Sequence, residues 1–560
     1  MQRQKLSLGT WQGPVDRALK DLASKDAVIR IWDRDPSLWK DDPVHQAEIR
    51  QRLGWLTVAA AMRRQLPELE AFRQEVIRDG IEQVILCGMG GSSLCPEVLR
   101  LTFGDAPGSP RLWVLDSTDP EMVSRVAQQA DPARTLHLIS SKSGGTIEVD
   151  SLYRFFYDRA EARMGEDAGS AFAAITDPGT SLERLGAERR FRRVFVNPPD
   201  IGGRYSALSL FGLVPAALIG MDLNLLLDSA ERMARACTSS TPGERNPGLW
   251  LGAALGGLAA VGRDKLTLLA SPRIAGFGLW VEQLIAESTG KEGRGIVPVA
   301  GEPLVPPEGY GTDRFFVYTR LEGDDNAALD ELVAELEILE QPVVTYLLAS
   351  AYDLGGEFFR WEFATALAGA LLRIDPFDQP NVQESKDNTK ALLDVYRQRG
   401  NLPVEEPDLV QDALQLRGTG ESTVGGALSA FLGQARQGDY LAIMAYLDMA
   451  EPIDQALERL RGRLLERTRL ATTLGYGPRF LHSTGQLHKG GPNTGLFLQI
   501  TADKTVEVPI PGQPYDFGTL QAAQALGDRQ ALRQHGRRVL SVHLSGDVLD
   551  GLAQLTQAIS

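Results

Sequence analysis

The 560-residue chain carries 43% apolar and 23% charged residues, the composition of a folded protein with room for several cores and not of a disordered one. Its net charge of −15 excludes general nucleic-acid binding, which rests on Lys and Arg neutralising phosphates, so an anionic substrate must be held by a local cluster. The cysteines, Cys87, Cys95 and Cys237, are odd in number and scattered with no C-x-x-C pair, so neither a disulfide framework nor a zinc knuckle is signalled, and a reducing cytoplasm is the expected compartment.

The first residues, 1–17, are polar and lack the apolar core of an export signal. Much of the segment 1–60 shows helical spacing, with Trp32, Trp39 and Trp55 among charges, and is expected to be a helical lead-in. A strand-like run over 84–87 then empties into Gly88-Met89-Gly90-Gly91-Ser92-Ser93, and a helical pattern (Leu94, Val98, Leu101) follows. Strand, Gly-rich turn and helix start make a phosphate seat: glycines let backbone N–H groups approach an anion, hydroxyls add donors, and the helix N-terminus adds partial positive charge.

After a further strand at 112–115 the device recurs. The run 136–139 ends in Ser140-Ser141-Lys142-Ser143-Gly144-Gly145-Thr146, and 147–159 reads as a helix. Two seats in successive β-α units point to one phosphorylated ligand. With strands at 172–175 and 194–196, the region 61–225 is expected to be a doubly wound parallel sheet that binds its ligand outside the carboxyl ends of the strands.

The apolar stretch 208–227 is interrupted by Pro215 and Asp222, and 249–261 is too short to span a bilayer, so both read as buried helices and no membrane partner is expected. A second α/β region, 226–400, carries strands at 266–270, 315–318 and 343–348. The stretch 398–421, rich in Pro, Gly and acids, reads as a linker. Beyond it, strands at 440–446 and 539–544 and a helix over 452–467 predict a third α/β unit, 423–560.

The bland alternatives are specific. Asp116 ends the second strand where the ribose-binding acid of a dinucleotide site would sit, although the Gly-rich turn lacks the third glycine at its usual spacing. Ser141, Ser143 and Thr146 could serve as helix caps, a role compatible with phosphate binding.

Five motifs in order carry a resemblance: 88–96, 141–148, Gly202-Gly203-Arg204-Tyr205-Ser206, Glu287-Ser288-Thr289-Gly290-Lys291, and Phe377-Asp378-Gln379-Pro380-Asn381-Val382-Gln383-Glu384-Ser385-Lys386. Over roughly residues 40–400 the chain resembles the glucose-6-phosphate isomerases. Its segment Gly477-Pro478-Arg479-Phe480-Leu481-His482-Ser483-Thr484-Gly485-Gln486-Leu487-His488-Lys489 resembles the isomerase half of proteins in which transaldolase and this isomerase are fused; no transaldolase half is present.

The resemblance implies two doubly wound sugar-isomerase (SIS) domains beside the helical lead-in and the additional C-terminal α/β unit. It implies interconversion of glucose 6-phosphate and fructose 6-phosphate through an enediol, in glycolysis and gluconeogenesis, without metal or organic cofactor. Glu287 matches the base that moves a proton between C2 and C1, and Arg204 the guanidinium that stabilises the enediolate. Lys386 matches a lysine assisting ring opening, and Gln379 a substrate-contacting glutamine. Phosphate contacts carry over to Gly91, Ser92, Ser141, Ser143 and Thr146, with Lys142 beside the site.

Two departures matter. Asn381-Val382-Gln383 stands where the family usually has Gly-Val-Glu, and 295–319 contains no histidine where a ring-opening one is expected, although Glu148 matches its acidic partner. The third unit is therefore expected to supply the missing acid/base group through His482 or His488, since imidazole titrates near neutral pH. The resemblance further implies a sugar-phosphate ligand, a homodimer and a functional link to transaldolase. A non-catalytic phosphosugar sensor, a dehydrogenase, and an isomerase that also accepts mannose 6-phosphate stay open at this point.

Overall fold

The computed structural model describes residues 3–559. The lead-in expected to be helical opens instead on a strand, β1 (Arg3–Ser7), before its helices begin. Five residues with Lys5 and Ser7 on one side are too short to declare period-2 alternation. Those two side chains reach Glu337, at 2.6 and 2.8 Å, and the strand is added to a distant sheet.

The first sheet holds β2 (Gln83–Gly88), β3 (Arg111–Leu115), β4 (Thr135–Ser140), β5 (Phe172–Thr176) and β6 (Arg193–Val196), all parallel in the order β3-β2-β4-β5-β6. Chain connections leave β2 and β4 in opposite directions, so a crevice opens between their carboxyl ends. Both Gly/Ser-rich turns begin there.

The second sheet holds β7 (Lys265–Ala270), β8 (Val297–Ala300), β9 (Arg314–Leu321) and β10 (Val343–Leu348), in the order β1-β10-β9-β7-β8. Only β1 runs antiparallel. Helix Pro247–Ala259 packs beneath it against helix Leu354–Leu372 so closely that a Cβ on Gly252 would lie 2.7 Å from Leu367 Cβ and 2.9 Å from the Ala364 carbonyl.

The third sheet holds β11 (Leu409–Gln411), β12 (Leu414–Arg417), β13 (Tyr440–Tyr446), β14 (Ala471–Tyr476), β15 (Gly495–Ala502) and β16 (Arg538–Leu544), in the order β11-β12-β16-β15-β13-β14. Its four parallel strands repeat the winding of the second sheet, again with an antiparallel strand beyond the last. The stretch 398–421 is therefore not merely a linker. It carries the hairpin β11–β12, closed by Asp412 at φ 52° and anchored by buried Leu414 and Leu416.

The third unit docks on both others through polar contacts. Arg479 clasps Asp116 at 2.8 and 2.7 Å, and Lys504 reaches Asp119 at 2.5 Å. Towards the second sheet, Arg461 donates to the Ala300 and Gly301 carbonyls, each at 2.9 Å, while Glu302 accepts from Thr472 N at 2.7 Å. Among the described residues no helix is long and apolar enough to cross a membrane.

His137 on β4 lies between the rings of Phe156 and Phe172, with centroids at 4.8 and 4.7 Å, and its Nδ1–H donates to the Ala171 carbonyl at 3.3 Å. Burial pushes this imidazole down to about 4; the Ala171 bond opposes the shift and Arg159 adds to it. The ring is neutral in the fold, whereas in the unfolded chain it protonates below its ordinary value of about 6.5. Its contribution is whole above that value and is lost as pH falls towards the folded one. His137→Phe should therefore lose less stability than the parent between about pH 7.5 and about pH 5, by about 2 kcal/mol, read from thermal midpoints. Equal losses in the two proteins would show that the ring is not held neutral.

Candidate active site

The first turn runs from extended Met89 through the 3-10 turn Gly90–Ser92 into helix Leu94–Phe103. Gly90 sits at φ 56°, and a Cβ there would lie 2.7 Å from the His482 carbonyl and 2.8 Å from Gln283 Nε2. At Gly91 a Cβ would meet the Gly203 carbonyl at 2.0 Å. These glycines therefore do more than admit an anion: they let the arginine turn, helix Phe277–Thr289 and the third unit close on the seat. Ser140 Oγ donates to the Ser92 carbonyl at 3.0 Å and ties the two seats together.

In the second turn Ser141 and Thr146 share a hydrogen bond at 3.2 Å, and Ser143 Oγ, on an exposed residue, accepts from Gly145 N at 3.4 Å. Thr146 stands at the N-cap of helix Ile147–Met164 without making the side-chain capping bond. The hydroxyls thus line the turn and do not serve as caps. Lys142 is turned away to Asp177 and to the Pro199 carbonyl, at 3.3 Å for the latter, so the ammonium expected beside the ligand is committed elsewhere.

Arg204, in the 3-10 turn Gly203–Tyr205, is 1% exposed. Nε donates to Ser288 Oγ at 2.7 Å, and Nη2 to the carbonyls of Pro376 and Asp378 at 2.7 and 2.9 Å. Nη1 donates to Gln379 Oε1 at 2.9 Å and lies 3.1 Å from Glu287 Oε1. Four of the five N–H groups of the guanidinium are thereby used, and the Glu287 contact is an ion pair without a hydrogen bond, which leaves one Nη1 N–H uncommitted. Glu287 Oε2 accepts from Gln283 Nε2 at 3.0 Å, one helical turn earlier, and the same nitrogen donates to the His482 carbonyl at 2.9 Å. One oxygen of the Glu287 carboxylate therefore has a fixed donor, and the other faces the Arg204 guanidinium as an ion pair.

A second carboxylate, Glu148 in the first turn of helix Ile147–Met164, meets His482 Nε2 at 2.9 Å. The same oxygen accepts from Gln524 Nε2 at 2.7 Å, and Thr118 Oγ1 donates to Gln524 Oε1 at 2.7 Å, which fixes the orientation of that amide. Burial alone would raise the Glu148 carboxyl, but His482 and, more weakly, Lys386 hold it below its usual range. A carboxylate is acceptor-only, so His482 Nε2 carries the proton and Nδ1 is the nitrogen left for exchange. Lys386 and Ser385 line the same pocket with Glu148, His482 and Gln524.

His488 does not join them. It lies on helix Gly485–Gly490, 4% exposed, with the rings of Phe497, Phe480 and Tyr440 at centroid distances of 5.0, 5.9 and 6.4 Å. Burial and, secondarily, Lys489 and Arg537 hold its imidazole well below the ordinary value. The expectation of His488 as a candidate acid/base group is corrected: it is a neutral ring in an aromatic core. Asp116 is likewise committed, to Arg479 and to Ser93 Oγ at 3.1 Å, which removes the ribose-binding acid from the dinucleotide alternative. Among the described residues no group of three or more His, Cys, Asp or Glu is placed to hold a metal ion.

The reading from sequence missed Gln283, Ser288, Thr118 and Gln524. Gln283 had a local signal, lying four residues before Glu287 on one helix face. Gln524 had none, being 376 residues from the carboxylate it touches.

The family model described as phosphoglucose isomerase matches residues 58–295. A glucose-6-phosphate isomerase of Thermus thermophilus is 32% identical over 388 residues, covering 61% of this chain and 90% of the relative. One of Leptospira biflexa is 26% identical over 393 residues, covering 61% and 86%. Among solved structures, a hypothetical protein of Thermus thermophilus superposes with a TM-score of 0.57 at 25% identity, over 70% of this chain and 99% of that one. A glucose-6-phosphate isomerase of Chlamydia trachomatis superposes with the same TM-score at 18% identity, over 68% and 86%, and shows the shared fold alone.

The shared oxygen of Glu148 yields a test that needs no substrate. Nitrogen-15 NMR of the parent should show His482 protonated at Nε2. In Glu148→Leu, with the acceptor gone, the ring should exchange between tautomers. A ring already protonated at Nδ1 in the parent would contradict the assignment.

Proposed function

The chain belongs to the phosphoglucose isomerase family, and from that premise we propose that it is an aldose-ketose isomerase interconverting glucose 6-phosphate and fructose 6-phosphate. The observation that carries the reading is the buried Arg204–Glu287 pair at 3.1 Å, set beside a crevice with two phosphate seats. A base with a fixed rotamer next to a guanidinium is what proton transfer between adjacent carbons requires.

The sugar phosphate anchors in the crevice, its phosphate on the hydroxyls of Ser92, Ser141, Ser143 and Thr146 and on N–H groups at the two helix starts. Opening the pyranose needs a proton at the ring oxygen and loss of one from the anomeric hydroxyl. His482, oriented by Glu148, and Lys386 flank the pocket for that exchange. The Glu148 carboxylate also stabilises the imidazolium that must form when His482 carries the transferable proton on Nδ1.

In the open chain Glu287 removes the C2 proton and returns it to C1 while the O2 hydroxyl proton passes to O1, so the carbonyl moves from C1 to C2 and atoms and electrons balance within one molecule. The enediolate between the two transfers carries negative charge on its O1/O2 edge. Arg204, held rigid by its other partners, meets that charge without reorganising. Gln379, already bonded to Nη1, adds a polar contact at the same edge.

A non-catalytic sensor would need the seats but not a buried carboxylate paired with a guanidinium, so the enzyme reading is preferred. Glu287, Arg204, Lys386 and His482 all belong to one chain, and the reading does not call on a second subunit. The homodimer, the transaldolase link and the cytoplasmic location rest on resemblance and general chemistry.

Glu287→Gln should lower turnover by about 10²–10⁴ and abolish exchange of the C2 proton with solvent while substrate still binds. His482→Gln should lose turnover on the ring-closed sugar and keep it on an open-chain analogue, and His488→Phe should leave both unchanged. Equal loss on the two substrates in His482→Gln would remove the ring-opening role.

A further inference from the structure

In open parallel sheets the ligand-binding loops gather at the carboxyl ends of the strands. The first sheet turns that edge to the candidate active site through the two seats, and the third does so through the segment after β14 that bears His482. The second sheet is turned the other way. Helix Phe277–Thr289 runs back from the end of β7, so Glu287 lies near the amino ends of the strands, where Val297 N donates to the Asp264 carbonyl at 2.8 Å and Ile296 N to Thr289 Oγ1 at 2.9 Å. The carboxyl edge of the second sheet takes no part in the catalytic cluster.

At that edge, beyond the ends of β9 and β10, lies a cleft of about 790 Å³. Its wall carries four guanidiniums: Arg232 on helix Leu223–Ala236, Arg245 in the turn before helix Pro247–Ala259, Arg320 near the end of β9, and Arg360 on helix Leu354–Leu372. Asp330 grips Arg320 through Nε and Nη2, each at 2.8 Å, and Glu357 lies 3.3 Å from Arg360, whose plane stacks on the Tyr346 ring at 3.8 Å. Neither Asp330 nor Glu357 lines the cleft, so these carboxylates orient the guanidiniums from outside its wall. The carboxylates in the wall itself are Glu322 and Asp353, the latter 3.5 Å from Arg232. With Asp330 and Glu357 behind the wall and Glu322 and Asp353 within it, the four guanidiniums meet four carboxylates among the described residues, so the cleft offers a cluster of guanidinium donors and not a net positive charge.

The rest of the lining includes Met233, Pro247, Leu347 and Leu348. A cleft of this size is in the range that takes cofactor-sized ligands, and it offers a charged wall together with an apolar one. Guanidiniums suit phosphate oxygens, which they engage by paired N–H donors; Arg320 is held in its plane by Asp330, and the exposed Arg232 and Arg245 can turn onto a ligand. We propose that this cleft is a second ligand site, for an organic phosphate of nucleotide size, with its phosphates on Arg232, Arg245 and Arg320 and its body on Met233 and Leu347. The site is separate from the catalytic crevice, and the proposal does not rest on the isomerase reading.

The test is calorimetric titration of the full chain with ATP, in the presence of a saturating equilibrium mixture of glucose 6-phosphate and fructose 6-phosphate that fills the crevice. One ATP per chain is expected to bind. The variant carrying Arg232→Glu and Arg245→Glu should bind ATP at least about tenfold more weakly, with unchanged turnover in the absence of ATP. Inorganic pyrophosphate, which lacks the body, should bind the parent more weakly than ATP does. Absence of heat under saturation, or ATP affinity that survives both charge reversals, would overturn the proposal. Pyrophosphate binding as tightly as ATP would overturn its nucleotide-sized occupant.

Discussion

The contact on which the rest of the site depends is the ion pair between Arg204 and Glu287, taken almost wholly out of water. Burying two charges costs several kcal/mol per ion after relaxation, and mutual attraction repays it only when the remaining donors and acceptors are also met. Here they are met by three separate stretches of chain. The turn Gly203–Tyr205 brings the guanidinium, helix Phe277–Thr289 brings Glu287, Gln283 and Ser288, and residues 376–379 bring two carbonyls and an amide. None of the three can shift alone without stranding a buried charge. The first and second sheets are thereby fixed relative to each other at the point where proton transfer must be exact to within a fraction of an ångström.

That fixation propagates into the seat and the third unit through close backbone approach. Gly91 touches the carbonyl before Arg204, and Gly90 touches the carbonyl of His482. Gln283 is bonded to both Glu287 and that same His482 carbonyl, so helix, seat and third unit share one small volume. The third unit is held there by partners from the first sheet: Asp116 for Arg479, Asp119 for Lys504, and Glu148 for His482 and Gln524. Asp116 and Asp119 are fully buried beneath it. A unit docked through carboxylates that it desolvates is an integral part of the site and not an appendage, because its departure would undo every one of those pairs.

What was legible in the sequence follows from where strands sit in their sheets. Interior parallel strands such as β2, β4 and β13 are buried on both faces and read as continuous apolar runs, so they stood out. Edge strands divide: β3 and β6, apolar and parallel, were legible at 112–115 and 194–196, whereas others were not. β1 and β11, with β12 beside the latter, are short and antiparallel, and β14, at the rim, carries Thr472 and Thr473, which read as loop. β15 was obscured by Gln499 in its middle, a buried amide satisfied by the Ala525 carbonyl and Ser541. In the site, residues on contiguous motifs (Glu287, Arg204, Gln379) were found because a motif is local. His482 and His488 could not be told apart, since they share one Gly- and Ser-rich segment. What separates them is packing: one ring reaches a carboxylate from another sheet, and the other enters an aromatic cluster of its own.

On the proposed reading, the distribution of charge explains how an acidic protein would hold a doubly charged phosphate without disturbing its catalytic cations. Lys142 is spent on Asp177, and the seats present hydroxyls and helix N-termini, which are neutral donors with partial positive charge. The formal cations, Arg204, Lys386 and His482 when protonated, are gathered instead around the reacting end. Had the seats been built from free lysines, the strongest field in the crevice would have lain at the phosphate, and the enediolate would have formed in competition with it. With neutral donors at one end and an oriented guanidinium at the other, the charge that appears only during reaction would, on that reading, meet the strongest donor. That reading assigns binding and catalysis to different kinds of group along one crevice, and the tight ligation of Arg204 would keep that guanidinium from swinging towards the phosphate.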